Sequence, residues 1–179
     1  MTKHYELRLS GSGGQGLILA GIILAEAAIN SGLNAIQTQS YGPEARGGAS
    51  KAEVIISDSE IDFPKVQDLN LFLALTQDAC NKYIKGISPE GIVVVDDSIE
   101  LPADLVAAKV YKLPIISTAT DKLGKGIVSN IVALGVLTEL VDVLTREQVE
   151  AAVLGRVPKG TENLNRSALI EGYALVSQS

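Results

Sequence analysis

The stretch from Tyr5 to Gln39, YELRLSGSGGQGLILAGIILAEAAINSGLNAIQTQ, decides the fold. Tyr5 to Leu9 reads as a short strand, and the Gly- and Ser-rich segment Gly11 to Gly16 follows it as a turn. An apolar helix is expected from Leu17 to Ile29, stopped by Ser31-Gly32, with a second strand from Asn34 to Gln39. Strand, glycine turn, helix and strand within roughly thirty-odd residues make a βαβ unit, which predicts a parallel sheet.

Working outward, further strands are expected at Lys51 to Ile56, Leu69 to Leu75, Gly91 to Val95 and Val110 to Leu113, each bounded by turn-forming residues. Helices are expected at Thr76 to Lys85 and Ile127 to Leu144, from Thr145 with Gln148 completing a capping box, and from Thr161 onward. Strands alternating with helices define an α/β class: a doubly wound, mostly parallel sheet with helices on both faces, a Rossmann-like three-layer sandwich. The length of 179 residues suits a single domain over 1–179. Two helices, Leu17 to Ile29 and Ile127 to Leu144, are apolar nearly all the way round and so need cover on more than one side. A second subunit is expected to supply part of that cover; the alternative is that both helices are simply core.

Composition narrows the function. A net charge of -6 with no Lys/Arg stripe argues against nucleic acid and anionic membrane partners. The uncharged run from Leu9 to Ala25 is interrupted by glycines and reads as neither a signal peptide nor a membrane span, so a cytoplasmic location is expected. One cysteine, Cys80, cannot hold an iron–sulfur or zinc centre and reads as a small buried hydrophobe. A single histidine, His4, near the amino end, removes Ser-His and Cys-His nucleophile designs, and Asp96-Asp97 reads as a cap or solvated turn in preference to a metal site. No catalytic set is visible.

Two loops remain. Gly11-Ser12-Gly13-Gly14-Gln15-Gly16 fits G-x-G-x-x-G between a first strand and a first helix, where glycines permit close approach and free helix N–H groups attract an anion. The acid that would grip a dinucleotide ribose is missing, because Gln37, Thr38 and Gln39 stand at its place. An anion on another ligand and a turn needed only for packing both stay open. The second loop, Ser40-Tyr41-Gly42-Pro43-Glu44-Ala45-Arg46-Gly47-Gly48, is expected to face the first; Arg46 could grip a phosphate through its planar fork or merely pair with Glu44.

These two loops, together with Gly124-Lys-Gly-Ile-Val-Ser-Asn130, Val157-Pro158-Lys159-Gly160 and Asn163-Leu-Asn165, resemble the gamma subunit of 2-oxoacid:ferredoxin oxidoreductases over almost the whole chain. The resemblance is nearest to enzymes acting on 2-oxoglutarate or similar acids, pyruvate included. It implies a complete enzyme that decarboxylates a 2-oxoacid on thiamine diphosphate with Mg, passes electrons through iron–sulfur clusters to ferredoxin, and transfers the acyl group to coenzyme A. Thiamine diphosphate is then expected in alpha and beta chains, and the clusters in beta and, where present, delta. For this chain it implies assembly with those subunits and a share in the coenzyme A site. The site would use Gly11, Ser12, Gly13, Gly14, Gln15, Gly16, Tyr41, Arg46, Gly47, Gly48 and Asn130, with no catalytic or metal-binding residue. The rivals are a purely structural subunit and a free-standing NAD(P)-binding oxidoreductase. The isolated chain is expected to be able to pair with its own copy through its apolar helices.

Overall fold

The computed structural model describes residues 3–43 and 48–179. Its strands are β1 (His4–Ser12), β2 (Asn34–Tyr41), β3 (Ala49–Ser57), β4 (Leu69–Ala74), β5 (Ile87–Asp96) and β6 (Lys109–Leu113). The helices are α1 (Leu17–Asn30), α2 (Gln77–Tyr83), the short α3 (Ile115–Ser117), α4 (Ser129–Leu140), α5 (Arg146–Leu154) and α6 (Glu162–Ser177). The six strands form one sheet in the order β2-β3-β1-β4-β5-β6.

The sheet is mostly parallel, as expected, yet the first βαβ unit is not a neighbouring pair. Strands β1, β4, β5 and β6 run parallel, whereas β3 is antiparallel to both β1 and β2 and lies between them. A short connection between β2 and β3 can only fold the chain back as a hairpin, so β3 fills the gap that the α1 crossover leaves beside β1. Ser12 consequently pairs with Ala49, and Tyr41 with Ser50.

Alternation along the strands divides the core. Leu7, Leu9, Val54, Ile56, Leu71, Leu73 and Val94 meet α1, α4, α5 and α6 on one face. Phe72, Ala74, Val93 and Val95 meet Cys80 and Ile84 of the α2 segment on the other. Local chemistry sets the helix starts: the Thr76 hydroxyl accepts from Ala79 N (3.3 Å) at α2, and Thr145 and Gln148 form the expected capping box at α5.

The long apolar helix is shorter than expected. It begins with a 3-10 turn over Gly126–Val128 and ends at Leu140, because the backbone at Val141 turns extended and returns Val143 and Leu144 to the core while Asp142 meets solvent. Residues 129–138 are all buried. The cover expected from another subunit comes instead from α6 of the same chain. The two helices touch backbone to backbone: a Cβ on Gly135 would lie 2.9 Å from the Gly172 Cα and run into the Leu169 carbonyl oxygen.

One polar cluster ties α2 to the sheet. Arg8 Nε donates to Glu53 Oε1 (2.7 Å), Lys51 Nζ donates to the same oxygen (2.9 Å), and Arg8 Nη1 reaches the carbonyls of Tyr83 and Lys85 (2.8 Å each) at the end of α2. Burial works to raise the Glu53 pKa, but the hydrogen bonds from Lys51 and Arg8 outweigh it and hold the carboxyl below its usual range. Its stabilising effect is therefore complete above the ordinary glutamate pKa of about 4.3 and is lost as pH falls through the lower folded value.

Two outcomes follow. Gly135→Ala lowers unfolding stability by about 1–3 kcal/mol through overpacking at the α4–α6 crossing, and an unchanged urea midpoint would contradict the contact. Glu53→Gln reduces the loss of stability between neutral and acidic pH, measured by urea unfolding at several pH values; an acid limb as steep as in the parent chain would refute the assignment.

Candidate functional site

The glycine segment behaves as a shaped backbone, not a loose turn. Gly11 and Ser12 are the last residues of β1, paired with Ser50 and Ala49, so the turn proper is Gly13 to Gly16. Gln15 folds back over it: its Oε1 accepts from Ser12 N (2.8 Å), and its own N donates to Ser12 O (3.2 Å). A side chain on Gly11 would strike that Gln15 oxygen and, at 2.7 Å, the Leu17 side chain. Gly13 N donates to Gly48 O (3.0 Å), which joins the first loop to the second.

That usage redistributes the donors. The N–H groups of Ser12, Gly13 and Gln15 are engaged, whereas among the described residues those of Gly14 and Gly16 have no partner. Gly14 is exposed at φ 93, with open space where a Cβ would stand. Gly16 takes the left-handed φ of 75 at the N-cap of α1. The helix has neither a side-chain cap nor an acid in its first turn, so its leading N–H groups and the positive end of its dipole remain available to an anion.

Asn130, from the start of α4, secures the turn from below. It is 5% exposed, and its Nδ2 donates to Gly16 O (3.1 Å). A Cβ on Gly16 would approach that nitrogen to 2.5 Å. Glycine is thus required there both by backbone conformation and by the packed amide.

The structure does not bring every expected residue together. Tyr41 is 66% exposed on β2, two strand spacings or about 10 Å from β1. Arg46 and Gly47 lie outside the described residues. The position where a ribose-binding acid would sit in a dinucleotide site is also displaced, since β2 is not the neighbour of β1. Asp96 is buried and committed: one oxygen accepts from Ser98 N (3.2 Å) and Oγ (2.6 Å), the other from Ile116 N (2.9 Å). Cys80 is fully buried and burial pushes its thiol pKa up, in keeping with a packing role. Among the described residues no group of three or more His, Cys, Asp or Glu could hold a metal.

An apolar depression of about 310 Å3 adjoins Asn130, and composition and periodicity alone do not reveal it. Ile127 and Val128 line it from before α4, Val157 and Pro158 from the α5–α6 connection, Leu164 from α6 and Leu19 from α1. Three of the segments that carried the family resemblance therefore converge beside the glycine turn. Ile127 is 79% exposed at its rim.

Known proteins resemble the chain over nearly its whole length. A family model for pyruvate ferredoxin/flavodoxin oxidoreductase matches residues 6–175. The 2-oxoglutarate synthase subunit KorC of Methanocaldococcus jannaschii is 47% identical over 178 residues, covering 97% of this chain and 94% of that one. The keto/oxoacid ferredoxin oxidoreductase gamma subunit of Geobacter sulfurreducens superposes with a TM-score of 0.87 at 46% identity, covering 98% and 97% of the two chains. The 2-oxoglutarate:ferredoxin oxidoreductase of Magnetococcus marinus shares the fold alone, at TM-score 0.86 and 23% identity, this chain matching 32% of that longer one. A mixed six-stranded sheet with a glycine turn opening α1 and Asn130 beneath it is the α/β fold of an oxoacid oxidoreductase subunit. The chain belongs to the pyruvate ferredoxin/flavodoxin oxidoreductase family, as its gamma-type subunit.

The Gly16–Asn130 contact has a direct test. Gly16→Ala loses at least about 1–2 kcal/mol from the left-handed backbone alone. Asn130→Ala in the same chain relieves the steric part, so the double variant is more stable than the sum of the single losses, read by urea unfolding. Strict additivity would show that the two residues do not meet.

Proposed function

We propose that this chain is the gamma subunit of a 2-oxoglutarate:ferredoxin oxidoreductase, working in the cytoplasm and assembling with alpha and beta chains and, where present, a delta chain. Ferredoxin then accepts electrons from the complete complex. Thiamine diphosphate, Mg and the iron–sulfur clusters belong to the partner chains, since one buried thiol offers no ligand set for a cluster. This chain contributes part of the coenzyme A site.

The observation that carries the reading is the convergence of the glycine turn, Asn130 and the apolar depression. Coenzyme A is an anion joined to a long, largely neutral pantetheine arm. The N–H groups of Gly14, Gly16 and the first turn of α1 would take a phosphate, with Arg46 supplying positive charge from the second loop and Gly47 and Gly48 leaving it room. Asn130 would act through Gly16, holding the turn in shape instead of touching the ligand. The depression at Leu19, Ile127, Val157 and Leu164 would receive the arm and exclude water from it. Tyr41, exposed at the end of β2 two strands from the turn, would meet only an outlying part of so long a ligand.

Gly14→Asn tests this in the enzyme reconstituted with its partner subunits. Asparagine tolerates positive φ and has room within the fold, but it projects into the anion's space. The KM for coenzyme A rises by about tenfold or more, equivalent to ~1.4 kcal/mol, while subunit stoichiometry and the KM for 2-oxoglutarate stay as in the parent enzyme. An unchanged coenzyme A KM would leave the chain as a structural subunit; loss of assembly would make the turn a docking surface.

A further inference from the structure

The two edges of the sheet differ in a way that points to a partner. β6 is five residues long, carries Lys109 and Lys112, and is followed by Pro114, all features that discourage pairing with another strand. β2, Asn34 to Tyr41, is eight residues long and contains neither charge nor proline. Among the described residues no strand pairs with its outer side, which leaves it suited to strand addition.

The register shows which backbone groups are available. Gly42 N donates to Ala49 O (2.9 Å) in line with the β2–β3 pairing, so alternate residues Ser40, Thr38 and Ile36 turn their N–H and C=O groups towards β3. Ala35, Gln37, Gln39 and Tyr41 turn theirs outward. On the same flank lies a depression of about 370 Å3, walled by Ile29, Leu33, Ala35, Ile36 and Ile61 with Asn34 and Glu60 among them, and Ile29 is 56% exposed.

We propose that β2 is a dimerisation edge, pairing antiparallel with β2 of a second copy of this chain across a two-fold axis at Thr38. Outward groups meet outward groups when Gln37 lies opposite Gln39 of the second copy and Ala35 opposite Tyr41, with Thr38 facing its own counterpart. Every cross-strand pair is then uncharged, and no like charges oppose. The same register sets the exposed Tyr41 ring of each copy beside Ala35 of the other, over the depression bordered by Ile29 and Leu33. An exposed tyrosine on one copy meets a hollow of mixed apolar and polar lining on the other, twice, its ring suited to the apolar wall and its hydroxyl to the polar one, and the two-fold closes the assembly so that the charged β6 edges stay outside. The second copy is preferred over a different chain because strand, ring and hollow are complementary to themselves. The surface is distinct from the apolar helices and independent of the coenzyme A reading.

The purified full-length chain tests this. In the predicted register the two Thr38 residues form a pair without direct hydrogen bonds, with Cα atoms about 4.5 Å apart, within disulfide range. Thr38→Cys is expected to cross-link into a covalent dimer under mild oxidation, whereas Ser40→Cys, which faces Ile36 of the second copy, stays largely uncross-linked. Buried Cys80 does not compete. Gln39→Pro removes an outward N–H without breaking the β2–β3 ladder, and Thr38→Lys sets like charges face to face; both convert the dimer to a monomer in sedimentation equilibrium, with parent-like circular dichroism. A monomeric parent chain overturns the proposal. So does a dimer that fails to cross-link through Thr38→Cys or that survives both disrupting variants.

Discussion

The antiparallel register between β1 and β3 is the constraint on which the candidate site depends. Because Ser12 is paired with Ala49, the end of the second loop arrives beside the start of the first, and Gly13 N can reach Gly48 O. A one-residue slip of β3 would turn Val54 and Ile56 away from α1 and out of the core they share with Leu7 and Leu9, so the core enforces the register. Packing energy spread over the sheet thereby positions a turn that has few interactions of its own.

A second chain of constraint runs from the far end of the sequence. Gly135 and Gly172 let α4 and α6 meet at backbone distance, which seats α4 against the sheet; Asn130, the second residue of α4, then holds Gly16 O from beneath. Gln15 closes the turn from above through Ser12 N. Preorganisation of this kind matters for anion binding, because donors already oriented need no ordering when the ligand arrives. The groups left without partners among the described residues, the Gly14 and Gly16 N–H and the first turn of α1, are those an incoming phosphate would meet.

Much of this was legible from residues alone. All six strands were, because five are apolar or alternating runs between turn signals and the Ser31-Gly32 stop after α1 marks the start of the polar β2, and so was the α5 start, because Thr145 and Gln148 are a complete local signal. The placement of β3 was not, since strand order depends on long-range pairing that no local pattern encodes. The limit of α4 at Leu140 was hidden because no Gly or Pro stands between Leu140 and Thr145, and the expectation that a partner supplies part of that helix's cover left out what glycine at 135 and 172 permits. In the site, the glycine turn and Asn130 were foreseen as neighbours of a ligand. Asn130 hydrogen-bonds to the turn at Gly16 O, Ser12 and Gly13 have their N–H groups engaged, and Tyr41 stands at the end of the edge strand β2. The apolar depression escaped residue-level reading because its walls come from segments more than a hundred positions apart, though the family resemblance had marked three of them.

The central claim is that the beginning of α1 is an anion cradle for coenzyme A. Amide hydrogen exchange over residues 11–20 in the assembled enzyme, with and without saturating coenzyme A, tests it most directly. The account predicts that ligand slows exchange at Gly14, Gly16 and the first turn of α1, while Ser12 and Gly13, already hydrogen-bonded, change little. Unaltered exchange throughout that segment, with the enzyme demonstrably saturated, would contradict it.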